Sequence, residues 1–318
     1  MLLAPLFRDL TQVMRRVARP VSRTLTRYAG MITSSFDRLP VELAFLLGGV
    51  RLAAALRAAT LPVCRPTITE LSDRTAQARG LYNVALALRW LGEADEGRAE
   101  ETPAPSVRQR MVPNELDFGG GGCVLILTGP NSGGKTTFAQ AIGLLHVLAQ
   151  AGLWVPAQEA TLSPVDSILT HFPAREDPEH AAGRLGEEAA RLAEVFRSAG
   201  TGALMLLNEP LTSTSHGESL YLVRDIVRAL RLLSARSVVT THLHQLAEQP
   251  ESAGEAGCPV VSLVSQVSHD SDGQLRPSFR IVQGAPLGRS YAREVAAACG
   301  IQFEQLEALL KERGVIPA

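Results

Sequence analysis

Apolar and polar positions follow two different patterns along the chain, and the change of pattern divides it. From Met1 to about Gly92, leucine and alanine recur at helical spacing among arginines, punctuated by Pro20, Pro40, Pro62 and Pro66. This predicts helices broken by turns. Over 93–106 the chain turns acidic and proline-containing ("EADEGRAEETPAPS"), the composition of an exposed linker. Beyond it, short apolar runs alternate with amphipathic stretches, as a sheet covered by helices requires. The expected division is a helical domain over 1–100 and an α/β domain over 101–318.

Buried strands are expected at 123–127 ("CVLIL"), 167–170, 203–207 ("ALMLL") and 237–240 ("SVVT"). Helices are expected at 135–151, 184–197 and 218–233, the second with Leu185, Leu192, Val195 and Phe196 on one face. Two further strands, 260–267 and 278–282, read as a hairpin around "HDSDGQL", and helices near 291–298 and 303–311 close the chain. No internal repeat is visible.

A length of 318 residues with 46% hydrophobic content is ample for a packed core. The formal net charge of -1 excludes a strongly basic nucleic-acid coat or an acidic tail, and it leaves local patches open. Cys64, Cys123, Cys258 and Cys299 are far apart and form no CxxC pair, which predicts a reduced, cytoplasmic protein without structural metal. The most apolar stretch, 39–63, is interrupted by Glu42, Arg51 and Arg57, so no membrane span is expected. In 1–10 the basic residue follows the apolar ones, unlike a signal peptide.

Of the 31 basic residues only Lys135 and Lys311 are lysine, so position 135 stands against the bias of the whole chain. It lies in "TGPNSGGKTTF", where Gly129, four residues, then Gly134-Lys135-Thr136 make a P-loop between a predicted strand and a predicted helix. Glycines let the backbone N–H groups of such a loop face phosphates, and the helix N-terminus adds partial positive charge. A compact ammonium suits that space better than a planar guanidinium. After "ALMLL" comes Asn208-Glu209, placed as the acidic pair of phosphate-transferring P-loop enzymes, one position assisting magnesium and the next orienting water. His242 follows another apolar strand in "SVVTTHLHQLA", where a histidine contacts a γ-phosphate or simply ends a strand.

Together these segments resemble one family, the MutS-type ATPases of DNA mismatch repair. "TGPNSGGKTTF", "AGLWVPAQEATLSPVDSILTHF", "LLNEPLTSTSHGESL", "TTHLHQLA" and "GRSYAREVAAACGI" match its blocks in order, from about Met111 to about Ile301. The resemblance implies an α/β P-loop NTPase of ABC type, preceded by a helical remnant of the family's core and lever. It implies ATP and Mg2+ as cofactors. Gly129, Pro130, Asn131, Ser132, Gly133, Gly134, Lys135, Thr136 and Thr137 would cradle the triphosphate, with Thr136 and Asn208 at the metal. Lys135, Glu209 and His242 would serve catalysis, Glu209 polarising water and His242 sensing the γ-phosphate. "AAGRLGEEAARL" occupies the place of the segment that reaches a partner's nucleotide in the family, with Gly183 and Gly186 presenting a helix start; it reads equally as a tight turn. A homodimer with composite sites follows from the resemblance, acting on DNA or a DNA-repair partner.

This chain departs from that pattern in definite places. Asn208 replaces the usual aspartate, "PLTSTS" keeps Thr214-Ser215 but lacks the arginine that follows the acidic pair, and none of the nine phenylalanines is followed two positions later by glutamate. Mismatch reading through a Phe-x-Glu wedge is therefore not expected of this chain alone. Between Met1 and Gly30 there are six arginines against one acid, Asp9, and Arg15, Arg19, Arg23 and Arg27 are spaced four apart. The stripe meets phosphates or is a solvated helix face, and Pro20 argues against one continuous helix through it. Deleting residues 1–30 separates the two: a lower DNA affinity with a shallower salt dependence identifies phosphate contact, and unchanged values identify a solvated face.

Overall fold

The computed structural model describes residues 3–36, 38–95, 106–119, 123–173, 183–248, 257–269, 275–285, 300–313 and 315. The chain folds as two units, Met1–Ala55 and Leu56–Ala318. The first consists of helix α1 (Leu3–Phe36) and most of α2 (Leu39–Ala58). Contrary to the expectation, α1 runs unbroken through Pro20. The missing N–H leaves a carbonyl of the preceding turn without its usual donor, while the Pro20 carbonyl itself accepts from the Thr24 hydroxyl at 2.9 Å. Helix α2 passes the length and apolarity required to cross a membrane, which the three charges were expected to exclude.

In the second unit β1 (Thr67–Ile68), β2 (Ala76–Leu81), β3 (Asn114–Asp117) and β5 (Glu159–Leu162) form one sheet in the order β1-β5-β2-β3. The remaining strands are β4 (Val124–Thr128), β6 (Ile168–His171), β7 (Leu204–Asn208), β8 (Arg236–Thr240), β9 (Val260–His269) and β10 (Leu275–Gln283). They form the other sheet, in the order β10-β9-β4-β8-β7-β6. Only the β9–β10 hairpin pairing in it is antiparallel. Helices α3 (Val84–Asp95), α4 (Val107–Arg110), α5 (Lys135–Gln150), α6 (Gly183–Ser198), α7 (His216–Leu233), α8 (Gln245–Glu248) and α9 (Phe303–Glu312), with a single 3-10 turn at Leu71–Asp73, complete the described elements.

Strands β1 and β2 overturn the all-helical reading of the first 92 residues. "AQARGL" is built from residues that favour helix locally, yet Ala76 and Ala78 are buried while Gln77 and Arg79 are exposed. Pairing to β3 and β5 on either side overrides the local preference. It also ties residues 76–95 to the α/β unit, so the boundary between the units falls well before the acidic stretch. Most of that stretch, 96–105, and the helix expected near 291–298 lie outside the described residues.

All five residues of β4, β7 and β8 are buried, as central parallel strands require. Alternation sends Leu125, Leu127, Leu204 and Leu206 to one face, against Phe138, Ile142 and Leu145 of α5 and the small sheet. Val124, Ile126, Met205 and Leu207 go to the other, against Val223, Val227 and Leu230 of α7. Arg236, fully buried at the start of β8, locks the two sheets together. Its guanidinium donates to the carbonyls of Thr75 at 3.0 Å, Ser163 at 2.9 Å and Pro164 at 2.6 Å. Burial lowers its pKa to about 10, so it remains charged at neutral pH.

His146 on α5 is buried in the first core, its Nδ1–H donating to the Ile142 carbonyl at 2.9 Å. Desolvation lowers its pKa from 6.5 to about 4. Because the unfolded chain takes up this proton first, stability is full above pH 6.5 and falls as the pH drops towards 4, by roughly 3 kcal/mol. His146→Leu is expected to flatten that part of a stability-versus-pH curve measured by urea denaturation.

Candidate functional site

The P-loop begins where β4 ends. Gly129 has φ +141°, Ser132 +69° and Gly134 +84°, so the chain curls back through the left-handed region before α5 starts at Lys135. Strand β9 backs the loop: the Ser265 hydroxyl donates to the Gly133 carbonyl at 2.5 Å. A Cβ on Gly129 or Gly133 would lie 2.8 or 2.6 Å from the Ser265 side chain, so glycine is required at both.

Lys135 is 4% exposed, and burial lowers its pKa, with Glu209 partly opposing the shift. Its Nζ donates to the carbonyls of Gly129 at 2.9 Å and Pro130 at 3.0 Å and lies 3.5 Å from Glu209 Oε1. Beside it, Asn208 Oδ1 accepts two hydroxyls, from Thr136 at 2.8 Å and Thr240 at 2.9 Å. Parallel pairing puts Asn208 of β7 opposite Thr240 of β8, so the carboxyl ends of two strands meet the first turn of α5 at one oxygen. The amide does an acceptor's work without a carboxylate's charge. Glu209 has φ +48° and Leu211 φ +58°, left-handed conformations of the kind that gather at functional sites. The Glu209 N–H is held by the Thr240 carbonyl at 2.9 Å.

A cavity of about 440 Å³ opens over the loop, lined by residues 131–138 and Glu209. Its other wall is Tyr82, Asn83, Trp90, Arg110, Met111, Asn114 and Phe279, drawn from four separate parts of the sequence. Asn83 donates to the Thr137 carbonyl at 3.0 Å, and the Arg110 guanidinium lies 4.2 Å from the Trp90 ring centroid. Asn114 donates to the Phe279 carbonyl at 3.1 Å and accepts from Ile281 N–H at 2.7 Å. This holds β10 across its register shift and brings the Phe279 ring so close to Gly134 that a Cβ there would lie 3.3 Å from it. The curled loop, with its buried ammonium, fits a polyphosphate, and the aromatic and amide wall fits a planar base. Thr136 and Asn208 supply the uncharged oxygens suited to a hard cation.

The structure thus brings together Gly129, Pro130, Asn131, Ser132, Gly133, Gly134, Lys135, Thr136, Thr137, Asn208 and Glu209. His242 stands outside the described cavity lining, exposed, its ring centroid 6.5 Å from that of His216. Gly183 has φ +66° and is the exposed first residue of α6, while Gly186 lies within the helix. Thr214 and Ser215 serve α7 locally: Ser215 is its N-cap, and both hydroxyls donate to the Glu218 carboxylate.

Glu188 was not foreseen as a site residue. Buried on α6, it accepts from Leu211 N–H at 2.7 Å, the Ser213 hydroxyl at 2.9 Å and His171 Nε2 at 3.2 Å. It therefore joins β6, α6 and the loop that carries Glu209. Its only trace in the sequence is a Glu-Glu pair with one member on the apolar side of the helix.

The family model of MutS domain V matches residues 125–308. The chain is 26% identical over 96% of its length to the DNA mismatch repair protein MutS of Granulibacter bethesdensis, covering 32% of that protein. It is 30% identical over 75% of its length to the MutS of a Synechococcus strain, covering 24%. It is 32% identical over 61% of its length to Endonuclease MutS2 of Thermomicrobium roseum, again covering 24%. The chain thus spans from about a quarter to about a third of the length of these relatives.

Glu188→Ala strips the acceptor from the buried Leu211 N–H and His171 and from the half-buried Ser213 hydroxyl, and is expected to destabilise the second unit by on the order of 3 kcal/mol in urea denaturation. Glu188→Gln, which keeps one carbonyl acceptor, should recover part of that loss.

Proposed function

Because the chain belongs to the MutS domain V family, with its P-loop ATPase fold, we propose that it binds ATP with Mg2+ and hydrolyses it in the cavity over residues 129–137. The observation that carries this reading is the buried Lys135 ammonium, held by the loop's own carbonyls 3.5 Å from the Glu209 carboxylate. A cation kept dry and paired in this way is poised to exchange its carbonyl contacts for phosphate oxygens.

The loop N–H groups and the α5 N-terminus would hold the phosphates, while Phe279 and Asn114 would border the base. Thr136 and Asn208 would hold Mg2+, whose chemistry when bound is to neutralise charge developing on the transferred phosphate. Glu209 would accept a proton from the attacking water, and its left-handed backbone aims it back over the loop. Lys135 would counter the negative charge that spreads over the phosphate oxygens. His242 is proposed as a γ-phosphate sensor that acts only after the strand end beyond β8 moves toward the cavity.

We further propose that it acts in DNA repair or recombination in the cytoplasm, where its described thiols stay free. There it would be a homodimer with composite nucleotide sites, the α6 start facing the partner's nucleotide. A second reading is favoured by Asn208: a nucleotide-gated binding module with little or no hydrolysis, acting through protein partners. The amide keeps the Thr136 hydrogen bond but supplies no charge to steady a metal.

Steady-state ATPase with magnesium, measured with and without duplex, single-stranded and branched DNA, decides between them. Turnover stimulated by one DNA form, and at least ~100-fold lower in Glu209→Gln, supports the DNA-dependent ATPase. Tight ATP binding without turnover supports the gated module. Lys135→Ala should weaken ATP binding by roughly 10- to 100-fold, and unchanged affinity would overturn the site. Asn208→Asp should raise turnover if metal positioning limits it.

A further inference from the structure

Position 188 lies in the apolar stripe of α6, between Leu185 and Leu192, where a leucine would bury without electrostatic cost. The chain instead places a carboxylate there, 8% exposed, and gives it three donors from outside the helix. Oε1 accepts the Leu211 N–H at 2.7 Å and His171 Nε2 at 3.2 Å, and Oε2 accepts the Ser213 hydroxyl at 2.9 Å. A buried carboxylate seldom stabilises a fold more than an apolar side chain of its size, so its value lies in what it holds.

Glu188 holds the segment that carries Glu209. Glu209 and Leu211 sit at φ +48° and +58°, with Pro210 between them. Left-handed backbone at bulky residues persists only where neighbours over-determine it. This segment is pinned at both ends: the Glu209 N–H by the Thr240 carbonyl on β8 at 2.9 Å, and the Leu211 N–H by Glu188 on α6. The Leu211 side chain is buried in the second core. From this segment the Glu209 side chain lines the cavity, 3.5 Å from Lys135 Nζ.

We propose that Glu188 is a positioning residue: through the Leu211 N–H it fixes the Glu209 carboxylate beside the phosphate loop, and so sets the rate of hydrolysis and not the affinity for nucleotide. This rests on the reading that Glu209 accepts the proton of the attacking water. Without an acceptor at 188 the Leu211 peptide leaves the left-handed region and carries Glu209 with it. None of the three donors belongs to residues 129–137, so the grip on the phosphates is kept.

Three variants separate positioning from packing. Glu188→Leu fills the site without an acceptor, and Glu188→Asp keeps the charge but withdraws it by one methylene. Glu188→Gln keeps a carbonyl oxygen for Leu211 while its amide donates to the Ser213 hydroxyl. In steady-state ATPase with magnesium, kcat should fall roughly 10- to 100-fold in Glu188→Leu and Glu188→Asp, the scale of a misplaced catalytic group. It should stay within about 3-fold of wild type in Glu188→Gln, with the Kd for ATP within about 3-fold in all three. Hydrogen exchange of the amides of 209–213 should quicken in the first two variants and not in Glu188→Gln, with β4 unchanged in each. Far-UV circular dichroism checks folding, and Glu188→Asp carries the test if Glu188→Leu does not fold.

A folded acceptor-deficient variant with the kcat of wild type, or with kcat and ATP affinity lost together, overturns the proposal. So does a Glu188→Gln no faster than Glu188→Asp. A wild-type chain that binds ATP and never turns it over defeats the hydrolysis reading itself, and the positioning role with it; an active wild type beside an equally active Glu188→Asp defeats the positioning role alone.

Discussion

A buried ammonium sets the terms for the site. Lys135 loses its hydration in a loop that offers only carbonyls, so the loop must turn Gly129 and Pro130 oxygens inward and bring a carboxylate near. Left-handed backbone at Gly129, Ser132 and Gly134 achieves the first, and left-handed backbone at Glu209 accompanies the second. Each distortion is held by a neighbour. Ser265 backs the loop from β9, Thr240 holds the Glu209 N–H from β8, and Glu188 holds Leu211 from α6.

Asn208 shows how a substitution can keep geometry and change electrostatics. Its oxygen gathers the hydroxyls of Thr136 and Thr240, joining α5, β7 and β8 as a carboxylate oxygen would. The missing charge lies where a divalent cation would feel it most. The same logic governs Arg236, a charge retained in the interior because three carbonyls from the small sheet's segments surround it.

Local pattern was enough wherever burial and spacing point the same way. The strands carrying "CVLIL", "ALMLL" and "SVVT" are apolar on both faces, the P-loop glycines are close together in the chain, and the hairpin is marked by polar turn residues. It was not enough for β2, where alanine and arginine favour helix until neighbouring strands are present. Nor was it enough at Pro20, where the helix tolerates the lost N–H.

By itself the sequence determined the buried central strands, the phosphate loop, the lysine and the polar pair at the end of β7, because each is a short segment whose chemistry and period are local. Tertiary structure alone decided the far wall of the cavity, where Trp90, Arg110, Asn114 and Phe279 meet from distant positions, and the role of Glu188. It also set His242 apart from the cavity lining. These depend on the register of strands and the crossing of elements, and a long-range hydrogen bond leaves no mark on the residues beside it in the chain.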